Sequence, residues 1–277
     1  MECIQDFFIH NFKLESSSNF NENVFNTGIS IYEVIRIERG IPLFLENHLN
    51  RLYHSADISN FTINEGYCDF ESLIEQLVKR NDISEGKIKL VLQYNTDKSS
   101  SEKDIYIYFT PHYFPTNEEI NKGVSVGICN AIRNNPNAKI LNTEARNKAN
   151  HTIAENKLFE VLLQNNNGFI SEGSRSNIFF IMNNTVITAP ESDVLNGITR
   201  QNIIKLCQDH NIDIIERRIN ISEISTMNSS FISGTSLKAL PVKNIEENRF
   251  ETTHPILKKI IKFYDSLIDN YIEEKLP

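Results

Sequence analysis

Long apolar runs and an excess of basic residues are both missing from this sequence of 277 residues. No stretch approaches the roughly 18 apolar residues that a membrane-spanning helix requires. Lysine and arginine number 28 against 36 aspartates and glutamates, for a formal net charge of −8. Because nucleic-acid backbones attract clustered cations, this balance disfavours a nucleic-acid binder. The N-terminal segment lacks a basic leader and a long apolar core, so we expect no signal peptide.

Cysteine and histidine occur without the spacing of metal ligands. The four cysteines are far apart in the chain and form no ligand pairs, so we interpret them as thiols in a reducing compartment. The seven histidines never form an H-x-x-x-H pattern with an acid between them, which gives a zinc hydrolase little support. We therefore predict a cytoplasmic protein that binds no metal, no membrane and no nucleic acid.

Length and composition indicate a soluble globular protein with one large domain or two modest ones. Hydrophobic residues make up 40% of the chain and charged residues 23%. Two prolines and weak apolar periodicity after residue 110 predict a linker. We predict an N-terminal α+β domain over residues 1–112, a linker over 113–122 and a C-terminal α/β domain over 123–277.

Alternating and helical spacing of apolar residues predicts the individual elements. The predicted strands cover residues 29–38, 87–94, 104–110, 124–132, 158–164, 176–182, 186–188, 212–217 and 231–233. The predicted helices cover residues 44–58, 70–79, 145–156 and 199–210, followed by a last helix that begins at Pro255. The last helix carries one apolar stripe, which we interpret as core packing.

Two segments have the residue types of an anion site. Asn196-Gly197 is a turn signal directly before a predicted helix, where free N–H groups and the Thr199 hydroxyl could donate to an anion. Capping of that helix by Thr199 is the alternative. The second segment is SGTS at residues 233–236, where a glycine lets the backbone approach a ligand. Its alternative is a solvent-exposed loop.

Five side chains could act together with these segments. Arg51 and His48 share one face of a predicted helix, and a guanidinium is a natural fixed cation for a phosphate. A solvated helix arginine is the alternative, and His48 suits an orienting or packing role. Glu172 lies in a glycine-flanked hairpin, either as a surface acid or beside a pyridine nitrogen whose pKa it would raise. Tyr32 lies on a predicted strand, where its ring could simply be buried. Lys139 lies just ahead of a predicted helix.

In this order, the motifs resemble the class IV aminotransferases of fold type IV. That family includes branched-chain aminotransferases, D-amino acid aminotransferases and aminodeoxychorismate lyases. The matching stretches span roughly residues 30–245 and read SIYEVIRIERGIPLFLENHLNRLYHSA, KILN, FEVLLQNNNGFISEGSRSNIFFI, LNGITRQNIIKL and FISGTSLKALPV. The resemblance implies a two-domain fold with the active site in the cleft between domains. It also implies pyridoxal 5'-phosphate as cofactor, amino acid and 2-oxo acid substrates, and a homodimer.

The resemblance assigns a role to each matching position. Lys139, rather than Lys148 within the next helix, would form the imine with the cofactor and act as the catalytic base. Glu172 would hold the ring nitrogen protonated, and Arg51 would bind the phosphate. The other assigned residues are Ile198, Thr199 and Thr235 at the phosphate, Leu195 on the ring face, and Tyr32, Lys89 and Ser236 at the substrate.

Two departures from the family pattern leave the substrate open. Gln93, Tyr94 and Asn95 stand at a strand end where the family often has an arginine, so Lys89 is the cation that points that way. Glu144 stands where branched-chain members have a tyrosine that contacts the ring. We expect transamination of a branched-chain type. The alternatives are an aminodeoxychorismate lyase that forms 4-aminobenzoate and pyruvate, and a non-catalytic binding protein that kept the fold.

Overall fold

The computed structural model describes residues 2–95, 99–141 and 144–276, and the chain divides into two compact units. The first unit comprises Met1–Tyr113, Ala138–Asn142 and Ile268–Pro277. The second comprises Phe114–Asn137 and Thr143–Leu267. The predicted domains were continuous in sequence, whereas each unit in this division draws on more than one part of the chain. The sequence also predicts a hairpin loop over residues 98–103, part of which lies outside the described residues.

Short-range hydrophobic patterns form the elements of the first unit. Its strands are β1 (Phe7–His10), β2 (Lys13–Ser16), β3 (Ile29–Glu38), β4 (Ile41–Pro42), β5 (Gly86–Tyr94) and β6 (Lys103–Phe109). Its two longer helices are α1 (Leu45–Asp57) and α2 (Tyr67–Asn81). Among the described residues the strands form one antiparallel sheet in the order β2-β1-β6-β5-β3-β4.

Side chains of β3 alternate between the two faces of this sheet. Ile31 and Ile35 pack into a core with residues of α1 and α2. Tyr32 packs on the opposite face with Tyr106 and Tyr108 of β6 and its neighbours. Because Glu33 follows the alternation of Ile31 and Ile35, its carboxylate is directed to the face that α1 covers. The register of β3 thus places a charged group inside a helix–sheet core.

The second unit is built around a larger mixed sheet. Its strands are β7 (Val124–Asn130), β8 (Glu160–Gln164), β9 (Phe169–Gly173), β10 (Asn177–Met182), β11 (Thr185–Thr188), β12 (Ile214–Glu216), β13 (Ile219–Asn220), β14 (Ser229–Gly234), β15 (Lys238–Ile245) and β16 (Asn248–Arg249). Its helices are α3 (Asn117–Lys122), α4 (Glu144–Asn156), α5 (Ile198–Asp209) and α6 (Pro255–Lys275), which continues past residue 267. In the described chain the strand order is β12-β11-β10-β14-β15-β7-β8-β9-β13, with β16 beside β15.

Helix α3 occupies residues that the sequence analysis placed in the linker. Its start is a capping box in which the Glu119 N–H donates to Thr116 Oγ1 at 3.2 Å and the Thr116 N–H donates to the Glu119 carboxylate at 2.8 Å. Gly123, at φ 75°, follows its last residue. The helix buries no residue fully, which explains why apolar periodicity did not reveal it. The T-x-x-E signal was nevertheless present in the sequence.

The five predicted helices are confirmed, with every predicted end within three residues of the observed one. The sequence analysis missed β1, β2 and β15, among other short strands. Strand β15 contains Pro241, and a proline inside an apolar run argues against a strand. None of the helices in the described ranges is long and apolar enough to cross a bilayer. The same ranges contain no cluster of three or more acidic, cysteine or histidine side chains that could bind a metal.

Candidate functional site

A buried carboxylate on β3 holds two side chains of α1. Arg51 donates from Nε to Glu33 Oε1 at 2.8 Å and from Nη2 to Oε2 at 2.7 Å, a bidentate pair. His48 Nδ1 lies 2.7 Å from the same Oε2. All three side chains are buried. The alternative that Arg51 is a solvated helix residue is therefore wrong, and the orienting role predicted for His48 agrees with this contact.

The charges of this cluster are set by its burial and its contacts. Burial alone would raise the pKa of Glu33, but the charge of Arg51 and the hydrogen bonds from Arg51 and His48 hold that pKa well below its ordinary value. Burial lowers the pKa of His48 despite Glu33, and the positive charges of Arg51 and Lys139 lower it further. Since the ionised Glu33 only accepts hydrogen bonds, the neutral His48 ring carries its proton on Nδ1.

Lys139 lies beside β3, along the part of its edge that the short strand β4 leaves uncovered. The Tyr32 N–H donates to the Lys139 carbonyl at 3.1 Å, and the Leu141 N–H donates to the Ser30 carbonyl at 2.9 Å. Ser55 Oγ of α1 accepts from the Lys139 N–H at 3.2 Å. The backbone around Lys139 is thus fixed to both a strand and a helix.

The side chains of Lys139 and Lys148 differ in their surroundings. Lys139 Nζ lies 4.9 Å from the centre of the Tyr32 ring, near the His48 and Arg51 cluster. Lys148 lies within α4, and its Nζ donates to the Asn130 carbonyl at 2.6 Å. Lys139 therefore has the polar, structured setting expected for a reactive amine. Its assignment over Lys148 stays a prediction that a substitution can test.

Lys89 also lies close to the same tyrosine. Its Nζ lies 5.5 Å from the Tyr32 ring centre and 2.6 Å from Glu2 Oε1. Lys89 is 5% exposed, so the substrate cation expected from the sequence is buried and paired with an acid of the N-terminal segment. Of the residues predicted in the first unit, Lys89 and Lys139 thus lie beside the ring of Tyr32. Arg51 lies on α1, the helix that also contacts the backbone of Lys139.

In the second unit, Glu172 is a buried acid that contacts Leu195 and Arg133. Its Oε2 accepts from the Leu195 N–H at 3.2 Å, and its Oε1 lies 3.1 Å from Nε of Arg133. Arg133 also donates from Nη2 to the Ser174 carbonyl at 3.0 Å. Glu172 is only 2% exposed, so the alternative of a surface acid is wrong. The sequence analysis missed Arg133, although a cation shortly before Lys139 was visible in RNNPNAK.

Glu160 at the start of β8 holds the turn that follows Glu172. Its carboxylate accepts from Ser174 Oγ at 2.6 Å, from the Arg175 N–H at 3.1 Å and from Ser176 Oγ at 3.1 Å. A Cβ at Gly173 would lie 2.1 Å from Ser176 Oγ, so the turn needs a glycine there. Four polar groups, including the Val161 N–H, thus satisfy a buried acid and fix the turn beside Glu172.

The loop before α5 is held against β10. Asn177 Nδ2 donates to the Leu195 carbonyl at 2.9 Å, and a Cβ at Gly197 would lie 2.2 Å from Asn177 Oδ1. Gly197 is the N-cap of α5, so the alternative that Thr199 caps this helix is wrong. Thr199 is buried, and its Oγ1 accepts from Tyr264 Oη at 3.3 Å. The sequence analysis treated Tyr264 of α6 only as core packing.

Strand β14 ends next to this loop. Ser233 pairs in register with Asn177, and its Oγ is fully buried without a hydrogen-bond partner in the described chain. Thr235 and Ser236 follow in a half-buried turn. The start of SGTS is therefore not a solvent loop. In the second unit the structure brings Glu172, Leu195, Ile198 and Thr199 together, while the ligand roles of Thr235 and Ser236 stay predictions.

The comparisons with known proteins identify the family. The chain has the fold of the fold type IV aminotransferases. It belongs to the amino-transferase class IV family, whose sequence model matches residues 30–245. The expectation drawn from the motifs is thus confirmed at the level of family and fold.

Individual relatives are similar over most of the chain. A D-alanine aminotransferase of Bacillus licheniformis is 27% identical over 241 residues, covering 84% of each protein. A branched-chain amino acid aminotransferase of T.th., solved with pyridoxamine 5'-phosphate, has a TM-score of 0.87 at 19% identity and covers 98% of this chain and 96% of its own. A putative 4-amino-4-deoxychorismate lyase from Legionella pneumophila has a TM-score of 0.78 at 22% identity, covering 90% and 94%.

Proposed function

We propose that this protein is a pyridoxal 5'-phosphate enzyme that transfers the amino group of an amino acid to a 2-oxo acid, as a branched-chain aminotransferase does. The observation that carries the proposal is the family match over residues 30–245, which includes every position assigned to the cofactor. The relatives include aminotransferases by name, and one solved neighbour holds pyridoxamine 5'-phosphate.

The described residues suit a pyridine ring that carries a phosphate. Arg51, held by Glu33, presents a guanidinium of fixed orientation for an anion. The N-terminal N–H groups of α5 and the Thr199 hydroxyl would add donors. Because Thr199 Oγ1 accepts from Tyr264, its own proton is directed to another acceptor. The buried Ser233 Oγ is a further polar atom whose lack of a partner in the described chain fits a ligand.

Lys139 and Glu172 would take part in the chemistry itself. When bound, the cofactor supplies a sink for the charge that develops at the substrate Cα. Lys139 Nζ would attach the cofactor and, once released by the substrate, move the proton at Cα. Glu172, ionised beside Arg133, would hold a proton on the ring nitrogen.

Assignments for the remaining residues complete the proposed site. Leu195 would pack against the ring face, while Ile198 and Thr235 would contribute backbone and hydroxyl groups to the phosphate. Tyr32 and the Ser236 N–H would orient the substrate, and Lys89 would bind a carboxylate of the substrate. We also propose that the protein acts as a homodimer in the cytoplasm.

The first experiment measures the imine colour and the product. The purified protein is loaded with pyridoxal 5'-phosphate, and a panel of D- and L-amino acids is added. We expect at least one donor to bleach the imine absorbance and to convert 2-oxoglutarate to glutamate. Lys139→Ala should lose the imine absorbance and all turnover, whereas the control Lys148→Ala should keep both. The reverse result for the two lysines would identify Lys148 of α4 as the catalytic base.

A lyase is the second candidate, because one observation favours it specifically. Gln93, Tyr94 and Asn95 stand where many family members have an arginine, and a putative 4-amino-4-deoxychorismate lyase has the same fold. The loaded protein would be given aminodeoxychorismate, with pyruvate and 4-aminobenzoate as the products to be measured. Formation of both without glutamate from any donor would replace transamination by lyase activity. A yellow protein inert to all substrates would instead support the non-catalytic alternative.

A further inference from the structure

Lys89 and Tyr108 together form a carboxylate-binding site in the first unit. Lys89 Nζ lies 2.6 Å from Glu2 Oε1, and Tyr108 Oη donates to Glu2 Oε2 at 2.5 Å. Three aromatic rings surround the ammonium, with ring centres 5.9 Å, 5.5 Å and 5.9 Å from Nζ for Phe25, Tyr32 and Tyr108. Each oxygen of the Glu2 carboxylate thus contacts its own donor, Lys89 or Tyr108, beside these aromatic rings.

The chemistry of this site requires an anion. An ammonium buried without a counter-ion is unfavourable, so a carboxylate partner stabilises the position of Lys89. Burial, followed by the charge of Glu2, raises the pKa of Tyr108, which keeps its hydroxyl protonated as a donor. The surrounding rings exclude water and attract the cation but offer it no negative charge. A carboxylate therefore fits the site better than a neutral ligand.

The two partners of the ion pair differ in their freedom to move. The Lys89 side chain is 6% exposed, whereas the Glu2 side chain is 36% exposed. The backbone beside Glu2 is anchored because Cys3 is buried and the Ile4 N–H donates to the Phe109 carbonyl at 3.0 Å. Rotation of the Glu2 side chain alone would expose the cation, while the strand that carries Lys89 stays in place.

The position of this pair connects it to the proposed chemistry. The Tyr32 ring that lies 5.5 Å from Lys89 Nζ also lies 4.9 Å from Lys139 Nζ. Both amines thus lie beside one ring, so a ligand long enough to span that ring could contact Lys139 at one end and Lys89 at the other. Its distal carboxylate would meet the donors that bind Glu2 in the structure.

We propose that Glu2 is a tethered competitor for the carboxylate of an acidic substrate. Its side chain occupies the Lys89–Tyr108 site when no substrate is present, and a ligand with two carboxylates displaces it. The identification of that ligand as a substrate rests on the proposed function, whereas the competition itself does not.

The test measures the binding of glutarate, a dicarboxylate without an amino or oxo group, to the full-length protein by isothermal titration calorimetry. If Glu2 occupies the site about nine-tenths of the time, Glu2→Gln should bind glutarate about tenfold more tightly than the parent protein. The control Asp6→Asn makes the same charge change at an exposed side chain of the same segment and should leave the affinity unchanged. Lys89→Met should abolish the gain when combined with Glu2→Gln.

Two results would overturn the proposal. One is equal affinity in Glu2→Gln and Asp6→Asn, and the other is a gain that persists in the Glu2→Gln/Lys89→Met protein. Glu2→Gln keeps the size of a side chain that is 36% exposed, and circular dichroism spectra of all four proteins are recorded to establish that they are folded. The imine absorbance at Lys139 is recorded on the same samples. If the protein shows the imine absorbance but Glu2→Gln does not bind glutarate more tightly, the proposed function stands and the role of Glu2 is wrong. If Glu2→Gln binds glutarate more tightly but the protein takes up no cofactor, the role of Glu2 stands and the proposed function is wrong.

Discussion

Arg133 shows how one unpredicted side chain supports a predicted one. Its guanidinium contacts the Glu172 carboxylate and the Ser174 carbonyl, so it fixes both the charge and the orientation of the acid. In the role proposed for Glu172, the carboxylate has to be ionised, and an adjacent guanidinium favours that form. We infer that Arg133 is a positioning residue that acts through Glu172.

The substitution Arg133→Gln tests this role. Removing one partner of a buried ion pair costs about 3–5 kcal/mol, so we expect the free energy of unfolding to fall by that order at neutral pH in urea titrations. The absorbance maximum of the bound cofactor should shift as well, since the charge beside the ring nitrogen changes. Arg133→Lys should restore part of both properties.

An exposed pair provides the matched control. Arg218 pairs with Asp193 at 2.7 Å, but its side chain is 64% exposed. Arg218→Gln should change neither the spectrum nor the stability measurably, because solvent screens surface pairs. Equal effects of the two substitutions would show that Arg133 has no special relation to Glu172.

Helix α1 is an element that tertiary contacts hold at its start and in its middle. It starts after Phe44, which has a left-handed backbone at φ 53° and provides no side-chain cap. The Leu45 N–H instead donates to Tyr271 Oη at 3.3 Å, and Tyr271 also binds Glu46. Farther along, Glu33 of β3 holds the helix through Arg51. The helix is thus placed by contacts with α6 and β3, not by local capping.

Glu33→Gln tests the anchor on β3 through its pH dependence. The pKa of Glu33 is lowered in the fold from an ordinary value of 4.5, so its ionised form contributes stability above pH 4.5 that is lost as the pH falls below it. We expect the variant to lose about 3–5 kcal/mol of unfolding free energy at neutral pH. The difference from the parent should shrink on acidification, because the carboxyl of the unfolded parent takes up a proton below pH 4.5 while the folded protein resists doing so.

The measurement is a series of urea titrations on both proteins at decreasing pH. Glu119→Gln is a useful control, since that acid serves the capping box of the short surface helix α3 and not a buried ion pair. A difference between parent and Glu33→Gln that stays constant across the series would contradict the ionised, buried state assigned to Glu33.

At the scale of the whole molecule, the cofactor should act on stability and assembly. A ligand that binds only the folded state stabilises it by about 2.7 kcal/mol at a concentration of 100 Kd. For a chain of this length, 1 kcal/mol shifts the Tm by about 2–4 °C, so 2.7 kcal/mol corresponds to a rise of roughly 5–11 °C. We therefore expect pyridoxal 5'-phosphate to raise the Tm of the parent protein by at least this amount in a thermal scan.

Lys139→Ala separates the covalent attachment from the other contacts in that experiment. The variant should show a smaller rise in Tm because the phosphate contacts remain while the imine is lost. Sedimentation velocity on the same samples should give twice the mass of one chain for the proposed homodimer. If the cofactor left the Tm of the parent protein unchanged, the cofactor assignment would be wrong. If sedimentation gave the mass of a single chain, the proposed dimer would be wrong.

Local signals in the sequence determined much of this protein. Helical spacing identified α1 and α5, and the turn residues around Gly173 and Gly197 marked the two loops where a backbone or side chain approaches closely. The ordered motifs over residues 30–245 were enough to identify the family. Such features are readable because periodicity and turn chemistry depend on residues only a few positions apart.

Only the tertiary structure decided which charged and polar groups meet. Lys89 pairs with an acid 87 positions away, and Tyr264 reaches a hydroxyl 65 positions away. Nothing local distinguishes such residues from solvated lysines or core tyrosines. The sequence by itself therefore determined the elements and the family, because these follow from short-range patterns. The fold decided the environment of each reactive group, because burial and ion pairing arise only when distant segments pack together.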